Sequence, residues 1–251
     1  MVPHHETSGP DGVPVLVLGG SLGTDVRMWD GQLPLAERLR LVRYDHRGHG
    51  GSGLPPPPYE IADLAQDVVE LMDALGVQRA SHCGLSLGGM VGMWLAANAP
   101  ERVDRLVLLC TSAHMPPASA WRERAEAVLA AGSTEAIADV IVGRWLTPGF
   151  AAVHPEMRAK LRAMLASIDP FGYAACCGAI ERMDLRDELA RIGAPTLVIS
   201  GSHDPATPVA HQRAIAAAIS GARHELVRPA AHLAAVERPD VVNRLILEHL
   251  T

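Results

Sequence analysis

The chain has 251 residues, 48% hydrophobic and 20% charged, with a formal net charge of −6. That length suits one large α/β domain or two small ones, and a chain this size buries ~70–75% of its unfolded surface without staples. The acidic balance argues against non-specific nucleic-acid binding. Cys83, Cys110, Cys176 and Cys177 form neither a C-x-x-C motif nor a Cys/His cluster with zinc spacing. The N-terminus lacks an apolar leader, and no run of about 18 apolar residues occurs. The expectation is a soluble cytoplasmic protein with reduced thiols, no membrane partner and no bound metal.

In chain order, Pro14–Gly20 reads as a fully buried parallel strand ending in glycines, and Leu39–Tyr44 as a second strand. Tyr59–Leu75 carries apolar residues at helical spacing and is closed by Gly76. Arg79–Gly84 is a short strand. Leu87–Asn98 is a helix ended by Pro100, and Arg105–Thr111 is another buried strand. Thr196–Ser200 and the weaker His224–Arg228 follow, and Arg238–His249 closes the chain as a helix. Strands alternating with helices predict an α/β fold with a mostly parallel central sheet and helices on both faces. Between Thr111 and Ile192 no strand is expected. Helical runs occur near Trp121–Ala131, Thr134–Trp145, Pro155–Ala166 and Tyr173–Met183. The expected organisation is a core of residues 1–111 and 192–251, with a helical cap, 112–191, inserted over the site. Pro55–Pro58 is a stiff surface connector.

Gly84-Leu85-Ser86-Leu87-Gly88 matches G-x-S-x-G between a strand and a helix. In that setting the pattern is a nucleophile elbow, a turn so sharp that the Ser86 hydroxyl stands clear of the sheet. A serine hydroxyl needs a neighbouring base, and the base needs an orienting acid. Asp204 lies in the loop after the Thr196–Ser200 strand, at the end of a strand where such sheets carry their sites. Asp45, Asp104, Asp184 and Asp187 are weaker alternatives. His232 lies on the loop after the last strand, whereas His224 falls within the strand and His249 within the terminal helix. His203 is expected at the pocket rim. The order Ser, Asp, His is the one in which hydrolases built on such an elbow carry their triad. An oxyanion hole needs two convergent N–H groups, assigned to Leu87, after the serine, and Leu22, in the glycine-rich loop after the first long strand. Gly48-x-Gly50-x-x-Gly53 matches a dinucleotide fingerprint, but Leu54 and four prolines follow where that motif needs a helix.

Several segments resemble the 3-oxoadipate enol-lactonases of the α/β-hydrolase superfamily. They are Ser21-Leu22-Gly23-Thr24-Asp25 with Met28-Trp29-Asp30, Tyr44-Asp45-His46-Arg47-Gly48-His49-Gly50 and the elbow. Further along come Arg144-Trp145-Leu146-Thr147-Pro148, Asp204-Pro205-Ala206-Thr207-Pro208, and Ala230-Ala231-His232-Leu233 with Val236-Glu237. The likeness spans nearly the whole chain. Gly20 stands where a polar residue is expected, His82 where an apolar or aromatic one is, and Met1–Gly9 has room for one opening strand rather than two. The resemblance implies hydrolysis of a small enol-lactone bearing a carboxylate, without a cofactor, in aromatic-compound degradation. It also implies Arg144 and Trp145 as substrate-binding residues, with Arg27 in reserve. A carboxylesterase or cofactor-free perhydrolase is the alternative enzyme, and a ligand-binding receptor that keeps the triad but turns over slowly or not at all is the alternative of another class. Oligomeric state is left open.

Overall fold

The computed structural model describes residues 1–251. Its strands are β1 (His5–Ser8), β2 (Val15–Gly19), β3 (Arg40–Tyr44), β4 (Ala80–Leu85), β5 (Val103–Leu109), β6 (Thr196–Gly201) and β7 (Arg223–Val227). They form one sheet in the order β1-β3-β2-β4-β5-β6-β7, in which only β1 and β3 pair antiparallel. The middle strands are buried on both faces because helices cover both, as a parallel sheet requires. The single opening strand expected from the short N-terminus is β1, which borders β3 at the sheet edge.

The helices are α1 (Ile61–Ala74), α2 (Leu87–Asn98), α3 (Ala118–Ala131), α4 (Ala138–Trp145), α5 (Pro148–Val153), α6 (Pro155–Ala166), α7 (Pro170–Arg182), α8 (Val209–Ala218), α9 (Ala234–Glu237) and α10 (Pro239–Leu250). The α1 helix starts with a reciprocal capping box between Glu60 and Asp63, and Gly76 follows its end at a φ of 68°. Several elements depart from the sequence reading, among them the additional helices α8 and α9. Val26–Glu37 is 3₁₀-helical around an internal Pro34, and α5 is a short extra helix started by Thr147 and Pro148. The fifth strand ends at Leu109 rather than Thr111, because Cys110 turns to a φ of 44°. No single helix is long and apolar enough to cross a membrane.

From α3 to α7 the chain adds no strand to the sheet. Helix α7 is seated on the turn after β3, where Gly172 and Gly48 meet backbone to backbone; a methyl on either would run into the other. The carboxyl ends of β4, β6 and β7 all lead to the same edge of the sheet, and the loops there carry Ser86, Asp204 and His232.

Candidate active site

Ser86 joins β4 directly to α2 with φ 56° and ψ −112°, a strained conformation for a side-chain-bearing residue. The turn survives because its flanks are bare. A methyl at Gly84 would strike the Gly88 carbonyl, and one at Gly88 would strike the Gly19 carbonyl on the neighbouring strand. Hydrogen bonds fix the serine from both sides: its N–H donates to the Leu109 carbonyl at 3.0 Å, and its own carbonyl accepts the Thr111 hydroxyl at 2.7 Å.

His232 Nδ1 and Asp204 Oδ2 lie 2.9 Å apart, both side chains buried. Asp204 is held in turn by the Ala206 and Thr207 N–H groups at 2.8 and 3.0 Å and by the Thr207 hydroxyl at 2.7 Å. Burial pushes the Asp204 carboxyl up, but the charge and hydrogen bond of His232 and the Thr207 bonds outweigh it, leaving the pKa below the usual carboxylate value. The carboxylate therefore stays ionised and holds Nδ1–H. That leaves His232 Nε2 without a partner in the protein.

Ser86 and His232 both line a cavity of about 160 Å³ with Ser21, Leu22, Met90 and Thr207. This is smaller than the ~300–1,000 Å³ of sites for drug-sized ligands, so it suits a small molecule. The other wall comes from the α3–α7 helices and includes Trp121, Arg124, Arg144, Trp145 and Tyr173. No Asp or Glu lines the cavity, and neither arginine makes an ion pair with a carboxylate. Arg124 rests over the Trp121 ring at 4.5 Å.

Leu22 lines the cavity, and its N–H has no acceptor in the protein. Leu87 is the first residue of α2, where an N–H has no acceptor within the helix. Several residues weighed in the sequence lie elsewhere. Asp45 is a buried brace that accepts the Val26 and Gly51 N–H groups and pairs with His4. Arg27 is spent on Asp25 in a bidentate pair and lies outside the cavity, so it is not a free cation. His203 is exposed and bonded to Ser202, away from the Ser86 cavity rather than on its rim. Arg124, Trp121 and Tyr173 were not anticipated. Their sole signal was a cation and aromatics on helices of unknown docking. The chain has no group of three or more His, Cys, Asp or Glu arranged to hold a metal ion. All four cysteines are free and buried, and burial pushes each thiol up, away from reactivity.

Residues 13–142 match the α/β hydrolase fold family, and residues 174–251 match a family described as TAP-like protein. The chain belongs to the α/β-hydrolase fold family, and it is an esterase-type hydrolase. It is 38% identical over 244 residues to 3-oxoadipate enol-lactonase 2 of Acinetobacter baylyi, covering 97% of this chain and 91% of the relative. The crystal structure of the enol-lactonase from Burkholderia xenovorans LB400 superimposes with a TM-score of 0.96 at 40% identity, covering 98% and 95% of the two chains. That of a hydrolase from Pseudomonas aeruginosa PA01 does so with a TM-score of 0.95 at 45% identity, covering 98% and 93%.

Proposed function

We propose that the protein hydrolyses 3-oxoadipate enol-lactone to 3-oxoadipate through an acyl-enzyme on Ser86, as a cytoplasmic step in the breakdown of aromatic compounds. The observation that carries this reading is the shared cavity. A strained serine and an Asp204-oriented histidine line it together with two arginines that no carboxylate neutralises.

His232 Nε2 takes the Ser86 proton as the oxygen attacks the ring carbonyl. Asp204 fixes the tautomer and stabilises the imidazolium. The Leu22 and Leu87 N–H groups receive the charge on the tetrahedral oxygen. Collapse breaks the ring C–O bond, and the departing enolate, a weakly basic leaving group, takes the proton from the His232 imidazolium and returns the ring to its neutral form. Water, deprotonated by His232, then releases the acid, and the enol product tautomerises. Arg144, beside Trp145, pairs with the substrate carboxylate, and Arg124 reinforces it from the same wall. Residues 112–191 act as a cap that keeps this small cavity dry.

The test follows loss of the enol-lactone ultraviolet absorbance with wild type and Ser86→Ala. Fast loss with wild type and none with the variant supports the reading. Slow lactone turnover beside fast hydrolysis of p-nitrophenyl acetate overturns the substrate and leaves a simple esterase. Equal rates for both proteins overturn the nucleophile.

A further inference from the structure

We propose that His46 and His49 are positioning residues that hold the loop carrying the Leu22 N–H at its two ends, and so aim one arm of the oxyanion hole. The proposal rests on the reading of Ser86 as the nucleophile.

The sheet brings the parts together. Strands β2 and β3 are parallel neighbours with Gly19 opposite Tyr44, so the loop after one lies beside the turn after the other. His46 Nε2 lies 3.0 Å from the Gly20 carbonyl, and the Gly23 N–H donates to His49 Nε2 at 3.0 Å. These bonds settle both tautomers. A carbonyl only accepts, so His46 carries its proton on Nε2. An amide N–H only donates, so His49 Nε2 is bare, and its Nδ1–H donates to the Arg47 carbonyl at 3.1 Å. One imidazole gives a bond at the start of the loop and the other receives one at its end. Burial pushes both rings down to about 4, with repulsion between neighbouring rings adding to it, so both are neutral as the pattern requires.

Between these two points the Ser21 carbonyl accepts the Thr24 N–H at 3.1 Å and the Thr24 hydroxyl at 2.8 Å. In a trans peptide the C=O and the following N–H point opposite ways. Fixing Ser21 C=O towards Thr24 therefore turns the Leu22 N–H the other way, where it has no protein acceptor. His49 also stacks on Tyr173, a cavity-lining residue of α7, with ring centroids 6.5 Å apart at 30°. The same ring thus touches both walls of the site.

The experiment compares His49→Phe, which keeps bulk and loses both bonds, with His49→Gln, which restores an acceptor for Gly23. The substrate is p-nitrophenyl acetate, so the result does not hang on the lactone. An oxyanion donor acts on the transition state, so misaiming it lowers kcat and spares KM. The expected loss for His49→Phe is about 10- to 100-fold in kcat with KM within about twofold, and His49→Gln recovers most of it. Should His49→Phe fail to fold, His46→Leu against His46→Gln reads the other end of the loop in the same way. Unchanged kcat in the folded apolar variants overturns the proposal, as does a loss that the Gln variants share equally. Ser86→Ala is run alongside: if it abolishes turnover while His49→Phe does not, the clamp fails and the nucleophile stands. If Ser86→Ala stays active, both fall.

Discussion

Thr147 gives two hydrogen bonds to the buried carboxylate of Glu237, from its backbone N–H at 3.0 Å and its hydroxyl at 2.6 Å. The same carboxylate accepts the N–H of Ala231, the residue before His232, at 2.8 Å. Glu237 therefore ties the start of α5 to the loop that carries the histidine. Glu237→Ala leaves three donors without their acceptor, each buried donor costing about 1–3 kcal/mol. The expected outcome is a loss of at least about 2 kcal/mol by urea denaturation, with a fall in kcat. Glu237→Gln, which keeps an amide oxygen for the two N–H groups, should lose less. Equal stability of Glu237→Ala and wild type would remove this link.

The proposed substrate role of the two arginines predicts a difference between charged and neutral substrates. A charge-assisted hydrogen bond contributes about 1.5–3 kcal/mol. Arg144→Ala should thus lower kcat/KM for the carboxylate-bearing lactone about 10- to 100-fold, with p-nitrophenyl acetate hydrolysis changed less than about threefold. Arg124→Ala should show the same selectivity with a smaller loss. If Arg144→Ala leaves the lactone kinetics alone and Arg124→Ala takes the full loss, Arg124 is the principal cation.

His82 supplies an acid-sensitivity prediction. It is buried in β4, neither ring nitrogen has a partner, and burial pushes it down to about 4. The unfolded chain takes up the proton near pH ~6.5, so folding excludes a proton between these values. Its contribution is complete above about 6.5 and is lost as the pH falls towards 4, by up to about 1.4 kcal/mol per pH unit. Urea midpoints measured across that range should fall less steeply for His82→Leu than for wild type. Parallel curves would mean that His82 is protonated alike in both states.

One substitution should have opposite signs at two glycines. Gly88→Ala drives a methyl into the Gly19 carbonyl, backbone against backbone, and should cost more than about 2 kcal/mol or prevent folding. Gly143 lies inside α4 with open space around its Cβ position, so Gly143→Ala should stabilise by about 0.5–1 kcal/mol. Thermal melts of the two variants decide it.

The sheet was legible because its signal is local. Runs such as Val15–Gly19 and Thr196–Gly201 are apolar on both faces and end in glycine, and strand ends in such folds converge on one edge. The G-x-S-x-G turn, the loops at strand ends and the chain order together point to Ser86, Asp204 and His232; in the fold Ser86 and His232 line one cavity, with Asp204 behind the histidine. The opposite wall was read less well. Helix α3 buries only Val128 fully, so its periodicity says little about which side faces Ser86, and Arg124 could not be told from a solvent charge. Arg27 failed for a converse reason. Nearness in sequence to the Leu22 loop suggested a free cation, but Asp25, two residues away, captures it.

The backbone contact of Gly172 with Gly48 and the Thr147–Glu237 bonds anchor the α3–α7 segment at two separate places. That makes the segment behave as an exchangeable fitting. Under the proposed role of the segment, the half-buried Trp121 and Arg124 are the positions to rewrite for a new substrate shape, while these anchors keep the helices in register with the serine.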